Sequence, residues 1–223
     1  MIDLGLPLSD AGIVWALASP IIYGLVCLKV NRASYNSVLL AAFVVGFLIS
    51  YVAYLIEVSL SGIGSHSLTQ SWIWFVAFVA VPEEGVKLAA LIGLANKRPA
   101  YPPLMVACFI GCGFAASENL IYLQSFGDAV VGARFLTATA FHVFNAIIMA
   151  RLLASKLLQD ESFRIMAALA TSVVLHGTYD YFIATPSGNE GPFIFVLCFT
   201  IAAGMVTLRA NKASPAIYGS GAP

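Results

Sequence analysis

The stretch Pro82-Glu83-Glu84-Gly85-Val86-Lys87 decides how this chain folds and what chemistry it can support. It lies inside an apolar run, residues 72–95, that is long enough to cross a bilayer. Two carboxylates and one ammonium group are therefore placed where the solvent is hydrocarbon. One charge at the centre of a spanning helix costs roughly 2.5–3.5 kcal/mol on insertion scales. Three charges within five residues thus require partners, water or a chemical role.

The composition of the whole chain agrees with a membrane location. The chain has 223 residues, of which 60% are hydrophobic and 10% charged, with a mean hydropathy of +0.90, whereas a soluble domain carries about 25% charged residues. The net charge of zero says nothing about nucleic acid, and no basic stripe in the sequence indicates a nucleic-acid partner. Seven apolar runs are long enough to span the bilayer, at residues 11–30, 37–60, 72–95, 102–124, 130–153, 162–184 and 192–209.

These runs predict an all-α membrane protein, a polytopic bundle of about seven transmembrane helices. The connections are short, so we expect a single transmembrane domain over residues 1–210 and a flexible cytoplasmic tail over 211–223. Lysine and arginine concentrate in alternate connections, which by the positive-inside rule places the N-terminus outside and the C-terminus in the cytoplasm. Of the eleven basic residues, Arg134 is the one expected outside and Lys87 the one expected within the membrane.

The polar residues of four successive runs lie at similar depths once this orientation is applied. Glu83 is near the middle of run three, and Glu118 lies in the outer half of run four. His142 is near the middle of run five, while His176 and Asp180 lie in the outer half of run six. Since a helix rises 1.5 Å per residue, all five positions fall in the middle-to-outer part of the bilayer. We therefore expect them to form one buried site.

The spacing of the charges on run three leaves one carboxylate in excess. Glu83 and Glu84 precede Lys87 by four and three residues, so either can pair with it on the helix surface. Pro82 cannot donate a backbone hydrogen bond and is expected to kink the helix. A purely structural ion pair is the alternative interpretation, but such a pair needs only one carboxylate.

The remaining polar residues supply the ligand types of a zinc-type hydrolytic site. His176 and Asp180 lie one turn apart, a spacing that suits two metal ligands or a carboxylate that orients a histidine. His142 alone could equally be a packed core residue, and Glu118 adds another carboxylate. Small residues around Glu118 are expected to permit close helix packing. Glu57, near the outer end of run two, is expected at the surface.

Four motifs in order resemble the PrsW family of intramembrane proteases, within the wider group of CAAX-type prenyl proteases. They are Glu83-Glu84-x-x-Lys87, Phe114-x-x-x-Glu118-Asn119, His142 and His176-x-x-x-Asp180, on four successive runs. The resemblance covers roughly residues 72–184 and implies membrane-embedded hydrolysis of peptide bonds by a metalloprotease-like enzyme. In the prenyl proteases the second motif ends in histidine, where this chain has Glu118.

The leading hypothesis is an intramembrane endopeptidase that cuts a membrane-anchored protein near the outer half of the bilayer, in a bacterial or archaeal cell membrane. Glu83 or Glu84 would be the general base, with Lys87 holding the other glutamate ionised. Similarity to the prenyl proteases favours Glu83 as the base. The predicted ligands of a zinc ion (Zn2+) are Glu118, His142, His176 and Asp180. In a metal-free site, a histidine and a protonated Asp180 would instead donate hydrogen bonds to the oxyanion.

Two other classes of function use similar residues. A proton- or cation-coupled transporter also places carboxylates and histidines within the membrane, but it requires a polar path to both faces, and the inner halves of runs three to six carry little charge. A non-catalytic scaffold of the same fold is the third possibility. An activity assay on glutamate variants separates it from an enzyme.

Overall fold

Helices account for nearly all of the described chain. The computed structural model describes residues 9–31, 36–60, 71–97, 103–155, 157–158, 160–185 and 190–212. Helix α1 is Asp10–Asn31, α2 is Ser37–Leu60, and α3 runs from Trp72 to Lys97 in three parts: Trp72–Trp74, a π-helical Phe75–Ala80, and Val81–Lys97. The remaining helices are α4 (Pro103–Phe126), α5 (Asp128–Leu136), α6 (Ala138–Leu153), α7 (Glu161–Ala184) and α8 (Glu190–Lys212).

The observed helices confirm an all-α membrane protein, with each predicted run matched to within about three residues. Run five is interrupted at Thr137, whose backbone leaves the helical region and separates α5 from α6. Four stretches have the length and hydropathy of a membrane span: Asp10–Asn31, Ser37–Leu60, Pro103–Phe126 and Gly132–Leu153. Of the predicted tail, residues 211–223, the part from 213 onward lies outside the described residues.

Polar side chains at the helix starts explain why several helices begin where they do. Asn36 accepts hydrogen bonds from the backbone of the first turn of α2, at 3.0 and 3.1 Å. Ser71 caps α3 at 3.2 Å, and Asp160 caps α7 at 2.8 Å. Each cap satisfies a backbone N–H that has no partner within the helix. Gly127, with φ of 74°, forms the turn between α4 and α5, a conformation that favours glycine.

Helix α4 lies at the centre of the bundle and packs against α1, α2 and α6. Most of its residues are buried. The α2 contact is close because a Cβ on Gly46 would lie within 2.9 Å of the Ile110 backbone. The α6 contact is close in the same way, since a Cβ on Gly111 would lie 2.8 Å from the His142 carbonyl oxygen. The predicted close approach at the small residues of α4 is thereby confirmed for Gly111.

Helices α6 and α7 complete the walls around the polar residues. Helix α6 packs against α4, α7 and α8, while α7 packs against the π-helical part of α3. Lys87 therefore faces α4 and α6, and Glu84 faces α7. The fold thus brings together the four apolar runs whose polar residues the sequence placed at similar depths.

Candidate active site

The π-helical segment of α3 leads directly into the paired glutamates. Pro82 has no amide proton, and just before it the helix widens so that the Val81 N–H donates to the carbonyl of Val76. The sequence predicted a kink at Pro82. The structure has a π-helical segment just before Pro82, a feature that is frequent at functional sites.

Lys87 is buried among three potential ligand groups. Its Nζ atom lies 2.8 Å from Glu84 Oε1 and 3.4 Å from Glu83 Oε2. It also lies 3.1 Å from His142 Nδ1 and 3.8 Å from the centre of the Phe114 ring. Only 1% of Lys87 is exposed, so these partners take the place of the water that its ammonium group loses on burial.

Helix α7 brings His176 and Asp180 to the same glutamates. His176 Nδ1 lies 2.7 Å from Glu84 Oε1, while its Nε2 lies 3.3 Å from Asp180 Oδ2 and 3.7 Å from Glu83 Oε2. Gly177 makes this approach possible, because a Cβ there would lie within 2.8 Å of the Val76 backbone and within 2.6 Å of its side chain. The π segment is therefore packed closely against α7 at the residue that follows His176.

Glu118 connects His142 to a buried arginine. Its Oε2 is in close contact with His142 Nε2, and its Oε1 lies 2.9 Å from Arg134 Nη2. Arg134 also donates from Nε to Asn119 Oδ1 at 2.9 Å and lies 3.8 Å above the ring of Tyr122. A continuous series of polar contacts thus extends from α5 through α4 and α6 to α3 and α7.

All seven residues expected at the site are linked by these contacts, which supports the depth argument. The ligand atoms of Glu83, Glu84, His142 and His176 lie within 4.8 Å of one another, and all four residues are buried. We call these four residues the ligand cluster. It shares the two histidines with the predicted ligand set. Glu118 and Asp180 are each in contact with one of those histidines and are adjacent to the cluster.

The ligand cluster has the features of a cation site. Two imidazoles and two carboxylates are donors that zinc-type ions accept in hydrolytic enzymes. Glu84 Oε2 is buried without a hydrogen-bond partner in the described chain, although a buried carboxylate oxygen normally has one. The linked network also contains four carboxylates, from Glu83, Glu84, Glu118 and Asp180, against two permanent cations. A divalent cation would balance this excess of negative charge.

Two residues near the site were not expected there. Arg134 had been placed outside the membrane by the charge rule, yet it is 8% exposed and pairs with Glu118. Glu57 had been expected at the surface, but its Oε1 is buried without a hydrogen-bond partner in the described residues. The available signal was that both residues lie at the outer ends of their runs, on the same side of the membrane as the outer half of the site. A charge near the end of a span is usually solvated, which made the surface assignment the natural one.

The fold and the buried polar site define a helical membrane protein whose buried histidines and glutamates are typical ligands of a metal ion. Residues 35–206 match the family described as PrsW family intramembrane metalloprotease. The chain belongs to this family and is an intramembrane protease, a hydrolase embedded in lipid that acts on membrane-embedded protein. The match favours a protease over a transporter. Searches of curated proteins and of solved structures return no match.

Proposed function

We propose that the chain is an endopeptidase in which Glu83 is the general base and a zinc-type ion is held by His142, His176 and Glu84. The observation that carries this proposal is the ligand cluster, in which one ligand atom from each of two buried histidines and two buried glutamates lies within 4.8 Å of the others. Two histidines, one glutamate and an open position form a recurrent catalytic zinc site, with a further glutamate as the base.

The contacts of the two glutamates support different roles for them. Glu84 is fully buried, and its Oε1 is shared by Lys87 and His176 at 2.8 and 2.7 Å. Glu83 is 6% exposed and has longer contacts, 3.4 Å to Lys87 and 3.7 Å to His176. Glu84 is therefore held in place, and its partnerless Oε2 is the atom available to an ion. Glu83 is less constrained and can exchange a proton with water.

The proposed ligand set differs from the set proposed from sequence because Glu118 and Asp180 each lie against a histidine. Carboxylates in this position orient a metal-binding imidazole and fix which ring nitrogen carries the proton. Lys87 donates to His142 Nδ1, so an ion bound there would replace that hydrogen bond. When bound, a zinc-type ion polarises the scissile carbonyl.

The protein's own groups then carry the proton transfers of hydrolysis. Glu83 accepts a proton from the attacking water as the new C–O bond forms. The same carboxyl group returns the proton to the leaving nitrogen as the C–N bond breaks, which yields one new carboxyl end and one new amino end. Lys87 keeps Glu84 ionised throughout through the 2.8 Å contact. The bundle excludes most water, which strengthens each of these electrostatic interactions.

We also propose the substrate class and the orientation. A membrane-anchored protein is the proposed substrate, and its scissile segment must unwind locally because a helix hides its carbonyls. The N-terminus would be outside a bacterial or archaeal cell membrane and the C-terminus in the cytoplasm. Cysteine placed at position 211 should then be protected from an impermeant thiol reagent in intact cells, and its labelling would reverse the orientation.

The test is proteolysis by purified protein in lipid vesicles. The probes are reporter proteins anchored by one transmembrane helix, some with a Gly-Pro break in the outer half of that helix. Cleavage within the span, located by mass spectrometry of both new ends, together with bound metal in the purified protein, would support the proposal. Absence of cleavage across the reporter set in metal-loaded wild-type protein would contradict it.

A further inference from the structure

Arg134 is the buried charge for which the proposed reaction has no direct use. It lies on α5 and is 8% exposed, although an arginine within a membrane span is costly unless it is paired. Its guanidinium group does not contact the ligand cluster itself. Its place in the structure therefore calls for a physical reason.

The contacts of Arg134 use the shape of the guanidinium group as well as its charge. Nη2 reaches Glu118 Oε1 at 2.9 Å, and Nε donates to Asn119 Oδ1 at 2.9 Å. The face of the group lies 3.8 Å from the Tyr122 ring. A rigid planar fork can satisfy two acceptors and one aromatic face at once, whereas a lysine ammonium cannot reproduce that geometry.

Glu118 contacts both Arg134 and His142, so the position of Arg134 affects the orientation of His142. Lys87 has only protons to donate, so His142 Nδ1, 3.1 Å from Lys87 Nζ, must accept. The proton of the neutral imidazole is then on Nε2, which is in close contact with Glu118 Oε2. We propose that Arg134 is a positioning residue, which holds Glu118 against His142 and so keeps the Nδ1 lone pair directed at Lys87 and the paired glutamates.

The support of Arg134 extends to α1, which lies outside the family match over residues 35–206. Asn119 Nδ2 lies 3.3 Å from the Ala16 carbonyl oxygen, 3.3 Å from Ser19 Oγ and 3.1 Å from Thr139 Oγ1. Its amide oxygen is thereby turned toward Arg134. Helix α1 thus contributes to the orientation of His142 through Asn119, Arg134 and Glu118.

This inference rests on the proposed role of His142, and its test uses a property that does not require proteolysis. Protein labelled with ¹⁵N-histidine in lipid nanodiscs reports by NMR which ring nitrogen of His142 carries the proton, with His142→Gln used to assign the signal. We expect wild type to show the Nε2-protonated form. Arg134→Gln should show a mixture of the two forms, while Arg151→Gln, at an exposed position on α6, should match wild type.

Proteolysis of the anchored reporter adds a second measurement. Arg134→Gln should lower kcat about 10- to 100-fold, the usual range for partners that orient a metal-site ligand, with KM changed little. Arg134→Lys keeps the charge without the fork and should fall between Arg134→Gln and wild type. A single unchanged tautomer in Arg134→Gln, or a loss of activity that follows only the folded fraction, would overturn the inference.

A double variant covers the case in which Arg134→Gln does not fold because it leaves Glu118 unpaired. Arg134→Gln/Glu118→Gln removes both charges and should show the mixed tautomer with the same kcat as Glu118→Gln alone. Effects that multiply would show that Arg134 acts independently of Glu118 and would contradict the proposal. If wild type does not cleave the reporter but the tautomer changes as expected, the positioning role stands and the proposed function fails.

Discussion

The bundle has two halves that are held together by different physics. The apolar half contains the largest buried hydrophobic cluster, which includes Leu91 of α3, Met105 of α4 and Ile147 of α6. The polar half contains the ligand cluster together with Lys87, Glu118, Asp180, Asn119 and Arg134. In the apolar half, the helices are held together by close packing of apolar side chains. In the polar half, each buried charge has a partner of opposite sign or a hydrogen bond.

The difference separates stability from chemistry. Apolar packing is distributed over many atoms, so one substitution changes the free energy of folding without changing a reactive group. The polar contacts are few and directional, and the removal of one partner leaves another buried and unsatisfied. Neutral replacement of an excess carboxylate in the polar half should therefore remove activity with the fold retained. Overpacking of the apolar half should instead lower the free energy of unfolding and leave the activity of the folded protein unchanged.

The largest effect is expected for Glu83→Gln, which removes the proposed base from the polar half. Proteolysis of the reporter should fall by about 10²- to 10⁴-fold, the usual contribution of general acid–base catalysis. Thermal unfolding should be unchanged or shifted upward, because the variant carries one buried charge less. Glu161→Gln in the exposed first turn of α7 is the matched control. A fully active Glu83→Gln protein would assign the base elsewhere.

Next in size is Lys87→Met, which tests whether the charges of the polar half are interdependent. It leaves Glu84 without its 2.8 Å partner, and loss of one member of a buried pair costs about 3–5 kcal/mol. Denaturation in mild detergent should show this loss together with loss of activity. Lys87→Met/Glu84→Gln should recover part of the stability but none of the activity. Wild-type stability in the single variant would show that Lys87 is not needed to balance these carboxylates.

Removal of metal should have an intermediate effect on stability. Metal at 100 times its Kd stabilises the folded state by about 2.7 kcal/mol, so a chelator should lower Tm and abolish cleavage. His176→Gln should lose both the bound metal, measured by mass spectrometry, and this change in Tm. Gly46→Ala, a variant of the apolar half, should retain both. Equal metal content in wild type and His176→Gln would remove His176 from the site.

The smallest effect is expected in the apolar half for Gly46→Ala. The added Cβ would meet the Ile110 backbone within 2.9 Å, and overpacking of this kind costs about 1–3 kcal/mol. Cleavage per folded molecule should stay at the wild-type rate. Gly93→Ala on α3 is the control, because nothing lies within 4 Å of its added Cβ, and it should be unchanged or up to about 1 kcal/mol more stable. Reduced cleavage per folded Gly46→Ala molecule would show that the two halves are coupled.

Much of this arrangement could be predicted from the sequence. Long apolar runs located the helices, since a bilayer requires about 20 apolar residues per span. Equal depth brought Glu83, Glu118, His142 and His176 together, because helices of known direction convert sequence position into height. Spacing placed Glu83 and Glu84 within reach of Lys87, and both contacts are observed.

The rest depends on how the helices are rotated about their axes, which sequence spacing does not specify. Depth could not distinguish Glu118, which faces Arg134 and His142, from Glu84, which faces Lys87 and His176. The π segment was missed because Phe75–Ala80 is uniformly apolar and has no local signal for the wider turn. The burial of Arg134 follows from a partner on another helix.

The π segment also bears on how the length of α3 can vary. A π turn takes up one more residue than an α turn. Deletion of one residue within Phe75–Ala80 would therefore return the segment to ordinary α-helical spacing with Trp72–Trp74 and Glu83 in nearly the same relative direction. The cap at Ser71 and the two glutamates would then keep their register with α7. Over evolutionary time, this segment should tolerate the loss of that one residue as well as exchanges among apolar residues.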